Sequence, residues 1–281
     1  MINNEIKFLL LIIFIIFMLI LLIGLIILIT FVRFNCQETI NFMKNIKFAG
    51  NIEDIYPKLK TGDIILFTDT EKVIKNNLDC FKFSRANFTP ENYSYQHIGL
   101  VYRNNQDIFI IESNLNNGNC GRNYSLTNKN YNNGVKITSF HTYFTDRKQS
   151  EKKYPECKRY YAIRFLNPQI NQTELNNRIQ KEFRIIDGTP FHYDIVAQNG
   201  TIGWIFQDLP IESKHSIDTF LPMKPNSNTY FCSEVVATLL QRCGIMKLKI
   251  RPSIFFPSYF SGFMDDKIFY PNTYSKIFIF K

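Results

Sequence analysis

The sequence contains no Cys-x-x-Cys pair, no His/Cys spacing suited to zinc and no Gly-rich phosphate loop. Those absences exclude a structural zinc site and phosphate-cradling nucleotide chemistry. No internal repeat is present, which excludes a repeat architecture. A nucleic-acid motif is missing as well. The 33 basic residues outnumber 24 acidic ones for a net charge of +9, but the surplus is scattered, with only short clusters such as Lys152-Lys153. Scattered charge suits an anionic membrane surface or plain solubility better than a nucleic-acid groove. The cysteines, Cys36, Cys80, Cys120, Cys157, Cys232 and Cys243, are not spaced as a disulfide framework. If Cys232 is set aside as a nucleophile, an odd number remains and cannot all pair, which points to a reducing compartment. No metal, no cofactor and no nucleic-acid partner are expected.

Charge is also absent from residues 8–32, a run built almost wholly of Leu, Ile, Phe, Val and Met between Lys7 and Arg33. As a helix it reaches roughly 37 Å, against a hydrocarbon core of roughly 30 Å. Cleaved signal peptides have apolar stretches of about 7 to 15 residues and a small-residue cleavage site. This run instead leads into Thr30-Phe31-Val32-Arg33-Phe34. It is read as a retained single-pass membrane anchor in residues 1–34, with a polar stalk over 35–59 and a folded domain over 60–281. Lys7 precedes the run while Arg33, Lys44 and Lys47 follow it, which leans toward a cytosolic domain under the positive-inside rule.

Within the domain, Ile64-Ile65-Leu66-Phe67 follows the turn Thr61-Gly62-Asp63 and reads as a buried strand. Residues 97–102 and 108–112 are two apolar, β-branched-rich runs joined by Arg103-Asn104-Asn105-Gln106-Asp107, a hairpin signal. With Asn104 and Asn105 as the loop residues, His97 faces Glu112. A three-residue loop would instead turn Glu112 to the other face. Both faces of the hairpin are apolar, so it is expected to be central. Residues 114–134, rich in Asn and Gly, read as a surface insertion. A further strand is expected over 158–165 and a helix over 173–186.

Tyr230-Phe231-Cys232-Ser233-Glu234 leads into Val235, Val236, Leu239, Leu240 and Cys243 on one helical stripe, with Gly244 as the stop. Cys232 therefore opens a helix, where unpaired amides and the helix dipole favour an anion and thiols are commonly acidified. Taken alone, Cys232 is more often a small buried apolar residue and His97 a hydrogen-bonded core histidine. A Cys at a helix start, a His on a core strand and a carboxylate opposite that His together form a nucleophile, base and orienter set. Helix amides beside Cys232 would supply part of an oxyanion hole. Asp63 is a candidate for substrate binding or an ordinary turn aspartate, and Tyr230 an oxyanion donor or a packing aromatic.

Four pieces in order resemble the circularly permuted branch of the papain-like, NlpC-type cysteine hydrolases, which includes bacterial YiiX-like proteins, poxvirus proteins and relatives of lecithin-retinol acyltransferase. They are Gly62-Asp63-Ile64-Ile65, His97-Ile98-Gly99-Leu100-Val101, Glu112, and Tyr230-Phe231-Cys232-Ser233-Glu234. Gly188-Thr189-Pro190-Phe191-His192-Tyr193-Asp194 is similar to the family's Gly-x-Pro-Tyr-Asp element, with His192-Tyr193 departing from it. The resemblance implies an α+β fold, an antiparallel sheet packed on the helix that bears the Cys. It implies Cys232 as nucleophile, His97 as base and Glu112 as third polar residue, acting through a thioester on amide or ester bonds of a peptide or lipid. The other reading is an inactive membrane-tethered binding or scaffold module, a viral membrane protein among them, favoured if Cys232 is unreactive or buried. The expected partners are the lipid bilayer and a peptide or lipid substrate.

Overall fold

The computed structural model describes residues 10–26, 47–69, 95, 97–114, 126–127, 133–154, 157–191, 229–247, 252–262 and 265–281. Six strands, β1 (Ile64–Asp69), β2 (His97–Asn104), β3 (Asp107–Asn114), β4 (Gly134–Ser139), β5 (Arg159–Arg164) and β6 (Phe278–Phe280), make one antiparallel sheet in the order β4-β3-β2-β1-β5-β6. The chain is α+β. Strands β1 and β2 are central because both their faces are apolar. Ile64, Leu66, Ile98 and Leu100 enter the core on one face, while Ile65, Phe67 and Val101 enter the core on the other.

Three longer helices cover the sheet: α1 (Phe140–Lys153), α2 (Gln172–Ile186) and α3 (Cys232–Arg242). Leu175, Ile179 and Phe183 of α2 recur every four residues, a spacing that lines one helical face, and they join Val235, Val236, Leu239 and Leu240 of α3 in the first core. Phe140, Tyr143 and Phe144 of α1 fill the second. The cap of α2 is Asn171, whose side chain accepts from the amides of Thr173 and Glu174. Just beyond the end of α3, Gly244 takes φ 75°, a conformation glycine adopts without a side-chain clash.

The hairpin forms, but its register differs from the expected one by two residues. Leu100 faces Ile111 and Asn104 pairs with Asp107, so the turn residues are Asn105 and Gln106. Asn105 takes φ 55°, a left-handed geometry that asparagine tolerates well. A two-residue shift preserves which side chains share a face. Gly99 has no room for a side chain, because a Cβ there would lie 2.5 Å from Cγ2 of Ile110.

Two other expectations are corrected. Residues 47–59, assigned to the stalk, belong to the folded domain: Ile52, Ile55 and Leu59 are buried in the second core, and the Ile52 amide donates to the Lys281 carbonyl at 2.9 Å. Cys157 is disulfide-bonded, while Cys232 and Cys243 are free. Its partner lies outside the described residues. A pair between cysteines far apart in sequence leaves no spacing signature, and because disulfides persist in oxidising surroundings the reducing compartment loses its support. Of the expected span over 8–32, residues 10–26 are described, a helix exposed throughout, whose reach is about 25 Å at about 1.5 Å per residue, and the rest lies outside the described residues. Among the described residues no helix is long and apolar enough to cross a membrane.

Candidate functional site

His97 is the first residue of β2 and Glu112 lies near the end of β3. Continuing the observed register places Gly99 opposite Glu112, so His97 and Glu112 are diagonal neighbours rather than the facing pair expected. Diagonal positions remain within reach of long side chains. Glu112 Oε2 lies 2.5 Å from His97 Nε2, and both residues are buried. The imidazole also rests against Phe67, its partner on β1, with ring centroids 5.1 Å apart.

Cys232 is the first residue of α3 and is 8% exposed. Its position is fixed from both sides. Before it, Ser113 Oγ donates to the Tyr230 carbonyl at 2.6 Å and the Tyr230 amide donates to the Pro190 carbonyl at 3.0 Å. After it, Ser233 Oγ donates to the Phe255 carbonyl at 2.6 Å, and the Glu234 carboxylate accepts from the Phe231 amide at 3.3 Å. Ser113 follows Glu112 directly on β3, so one residue ties the start of α3 to the strand that carries the carboxylate.

The three groups act on one another. Burial alone would lower the pKa of His97, but Cys232 and Glu112, each by charge and by hydrogen bonding, raise it to about 9. Burial would raise Glu112, but His97 foremost, then Lys136 and Arg159, hold it below the usual carboxylate value. Because Glu112 engages Nε2, Nδ1 is the ring nitrogen left for the thiol. An imidazole between a thiol and a carboxylate has the order of groups used in thiol acyl transfer.

Lys136 and Ser113 escaped sequence reasoning. Lys136, on β4, faces Glu112 directly and places Nζ 3.9 Å from Oε1 while itself buried. A lysine following an Asn-rich loop reads as solvent-facing, and nothing local signals otherwise.

Asp63 is not brought to this site. It precedes the end of β1 opposite to Phe67, and four positions at about 3.3 Å each separate it from the strand position paired with His97 by roughly 13 Å. Its Oδ2 accepts from the Lys60 amide at 2.8 Å and its Oδ1 from the Leu166 amide at 2.7 Å. The substrate-binding expectation for Asp63 gives way to a turn-holding role. Burial lifts its pKa to about 7 against those two bonds. Asp63→Ala orphans the buried Leu166 amide and the part-buried Lys60 amide and is expected to lower stability by about 2–3 kcal/mol near pH 5. Because the folded pKa is raised, the carboxyl's contribution is lost as pH climbs through about 7, so the penalty shrinks above that. Urea denaturation at the two pH values measures this, and an equal penalty at both would contradict it. Tyr230 does lie beside the site, two residues before Cys232, with its ring packed on the core that holds α3. His192, Tyr193 and Asp194 lie outside the described residues.

No family model matches the chain, and no curated protein matches it. Among solved structures, the metalloprotein yiiX from Escherichia coli O157:H7 is similar over 68% of this chain and 68% of its own, at 14% identity and a TM-score of 0.36. A likeness of that size is too slight to assign chemistry.

Proposed function

We propose that the chain is a cysteine hydrolase or acyltransferase that cleaves amide or ester bonds through a thioester on Cys232. The supporting observation is the buried His97–Glu112 pair, 2.5 Å apart, whose imidazole pKa is raised by Cys232 at the start of α3 as well as by Glu112. The Cys232 thiolate attacks the substrate carbonyl carbon and a C–S bond forms. The C–N or C–O bond then breaks, and His97 gives its proton to the leaving group. Water, or an acceptor hydroxyl or amine, next delivers its proton to His97 and attacks the thioester, freeing Cys232. Glu112 holds Nε2 protonated so that Nδ1 stays directed to the sulfur, and the first amides of α3 stabilise the tetrahedral oxyanion. In this reading the apolar run over residues 8–32 tethers the domain to a bilayer, which favours lipid or lipidated substrates.

The burial of Cys232 and His97, at 8% and 7% exposure, favours a second reading, a tethered binding module that retains the fold without the chemistry. Alkylation separates the two. Cys243 is an internal control, its pKa pushed up to about 11 chiefly by burial and then by Glu182. With limiting iodoacetamide near pH 6 on the full chain in detergent, Cys232 is expected to be labelled at least about 10-fold faster than Cys243. Equal rates would exclude the enzyme and leave the binding module.

A further inference from the structure

The two oxygens of Glu112 are treated differently. Oε2 meets His97, whereas Oε1 accepts no hydrogen bond among the described residues, although Lys136 Nζ stands 3.9 Å away. Lys136 is 1% exposed and directly opposite Glu112 in the β3–β4 register, so sheet pairing brings the two charges together. Lysine is almost never fully buried unless it is paired, because removing an ammonium from water is costly. The site gives that burial a purpose. On the thiol-enzyme reading, a thiolate, an imidazolium and a carboxylate would sum to one net negative charge inside the protein, and such a charge drives the group to take up a proton instead. The ammonium of Lys136, whose pKa burial lowers and Glu112 raises, would offset it.

We infer that Lys136 is a positioning residue for the Cys232–His97–Glu112 site: by keeping Glu112 ionised it preserves the imidazole orientation and the charged state of the thiol. This rests on the thiol-enzyme reading above. The groups that face Glu112 are His97 from β2, Lys136 from β4, Arg159 from β5 and Tyr143 from α1, with Cys232 of α3 beyond the imidazole. Arg159 is half-buried, so water screens it more than Lys136.

The test follows the rate of Cys232 alkylation by iodoacetamide from about pH 5 to 9 on the full chain. Lys136→Met is expected to shift the acid limb upward by about one pH unit and slow labelling near pH 6 about 10-fold. Lys136→Gln keeps a donor for Oε1 but no charge, and it is expected to match Lys136→Met. Lys136→Arg keeps the charge and is expected to restore most of the rate. In a Glu112→Gln background, Lys136→Met is expected to add less than about twofold, because it acts through the carboxylate. A wild-type rate for Cys232 no higher than for Cys243 would overturn the thiol-enzyme reading and this inference with it. A wild-type lead that survives unchanged in folded Lys136→Gln, or full additivity with Glu112→Gln, would overturn this inference alone. If Lys136→Met does not fold, Lys136→Gln and Lys136→Arg decide the matter.

Discussion

His97→Ala is expected to slow iodoacetamide labelling of Cys232 near pH 6 by about 100-fold, while leaving Cys243 unchanged. An ordinary thiol, with pKa about 8.5, is only about 0.3% thiolate at that pH. In the native site His97, its pKa raised to about 9, stays protonated beside the sulfur throughout the neutral range. Removing the ring removes that cation and leaves Glu112 without its Nε2 partner. The raised value also has a consequence for turnover. A large part of it comes from the charge on Cys232, and that charge vanishes once the sulfur carries an acyl group. The imidazole then becomes less basic, and the neutral form needed to take a proton from water is populated nearer to neutrality. Under the proposed mechanism one residue thereby serves as acid before the thioester and as base after it. The raised pKa also makes the His97 contribution to folding fully present below about pH 6.5 and lost as pH rises through about 9. The urea midpoint of the wild type is expected to fall across that window relative to His97→Ala. A labelling loss under threefold, with the fold intact, would mean that imidazole and thiol do not cooperate.

The parts of this site that were legible in the sequence are those with a local pattern. An apolar run after a turn gives β1, two β-branched runs around an Asn-rich turn give β2 and β3, and a stripe ending in glycine gives α3. From those the chain positions of His97, Glu112 and Cys232 could be chosen. The hairpin register was not legible to within two residues, since Asn104 and Asn105 are equally suited to a turn, and only the left-handed backbone at Asn105 distinguishes them. Strand β4 was hidden for another reason: it emerges from an Asn/Gly-rich stretch, and its central residue is a lysine. Nothing in Gly134-Val135-Lys136-Ile137 reveals that the lysine is buried, because its partner lies on another strand. The last strand, β6, has only three residues, too few for any period. Its pairing with β5, and the packing of residues 49–52 against it, are long-range events between the two ends of the domain.

That closure of the domain by its own C-terminal segment predicts a large loss of stability. Arg164, the last residue of β5, is 1% exposed and sends all its nitrogens into residues 260–275. Its Nε donates to the Ser275 carbonyl at 3.0 Å and Nη1 to the Phe260 carbonyl at 3.3 Å. Nη1 and Nη2 form a two-pronged pair with Asp265 at 2.7 and 2.5 Å. The guanidinium also lies 5.3 Å from the ring centre of Tyr274, whose hydroxyl donates to the Gly62 carbonyl. Phe260, Phe269 and Tyr274, held down by these bonds, complete the core beneath α3. Breaking a buried pair by deleting one partner costs about 3–5 kcal/mol. Asp265 is about a third exposed, so Arg164→Ala is expected near the lower end, about 3 kcal/mol in urea unfolding. Arg164→Lys restores only part of this, because an ammonium cannot make the two-pronged contact. Arg164→Met/Asp265→Ala is expected to be more stable than Arg164→Ala, since no unpaired carboxylate is left at the closure. Amide exchange should rise over residues 257–281, while Cys232 keeps its labelling lead in the folded protein, because Arg164 joins β1 at Ile64, at the opposite end from the Phe67–His97 pairing. A loss under about 1 kcal/mol would show that apolar packing alone closes the domain.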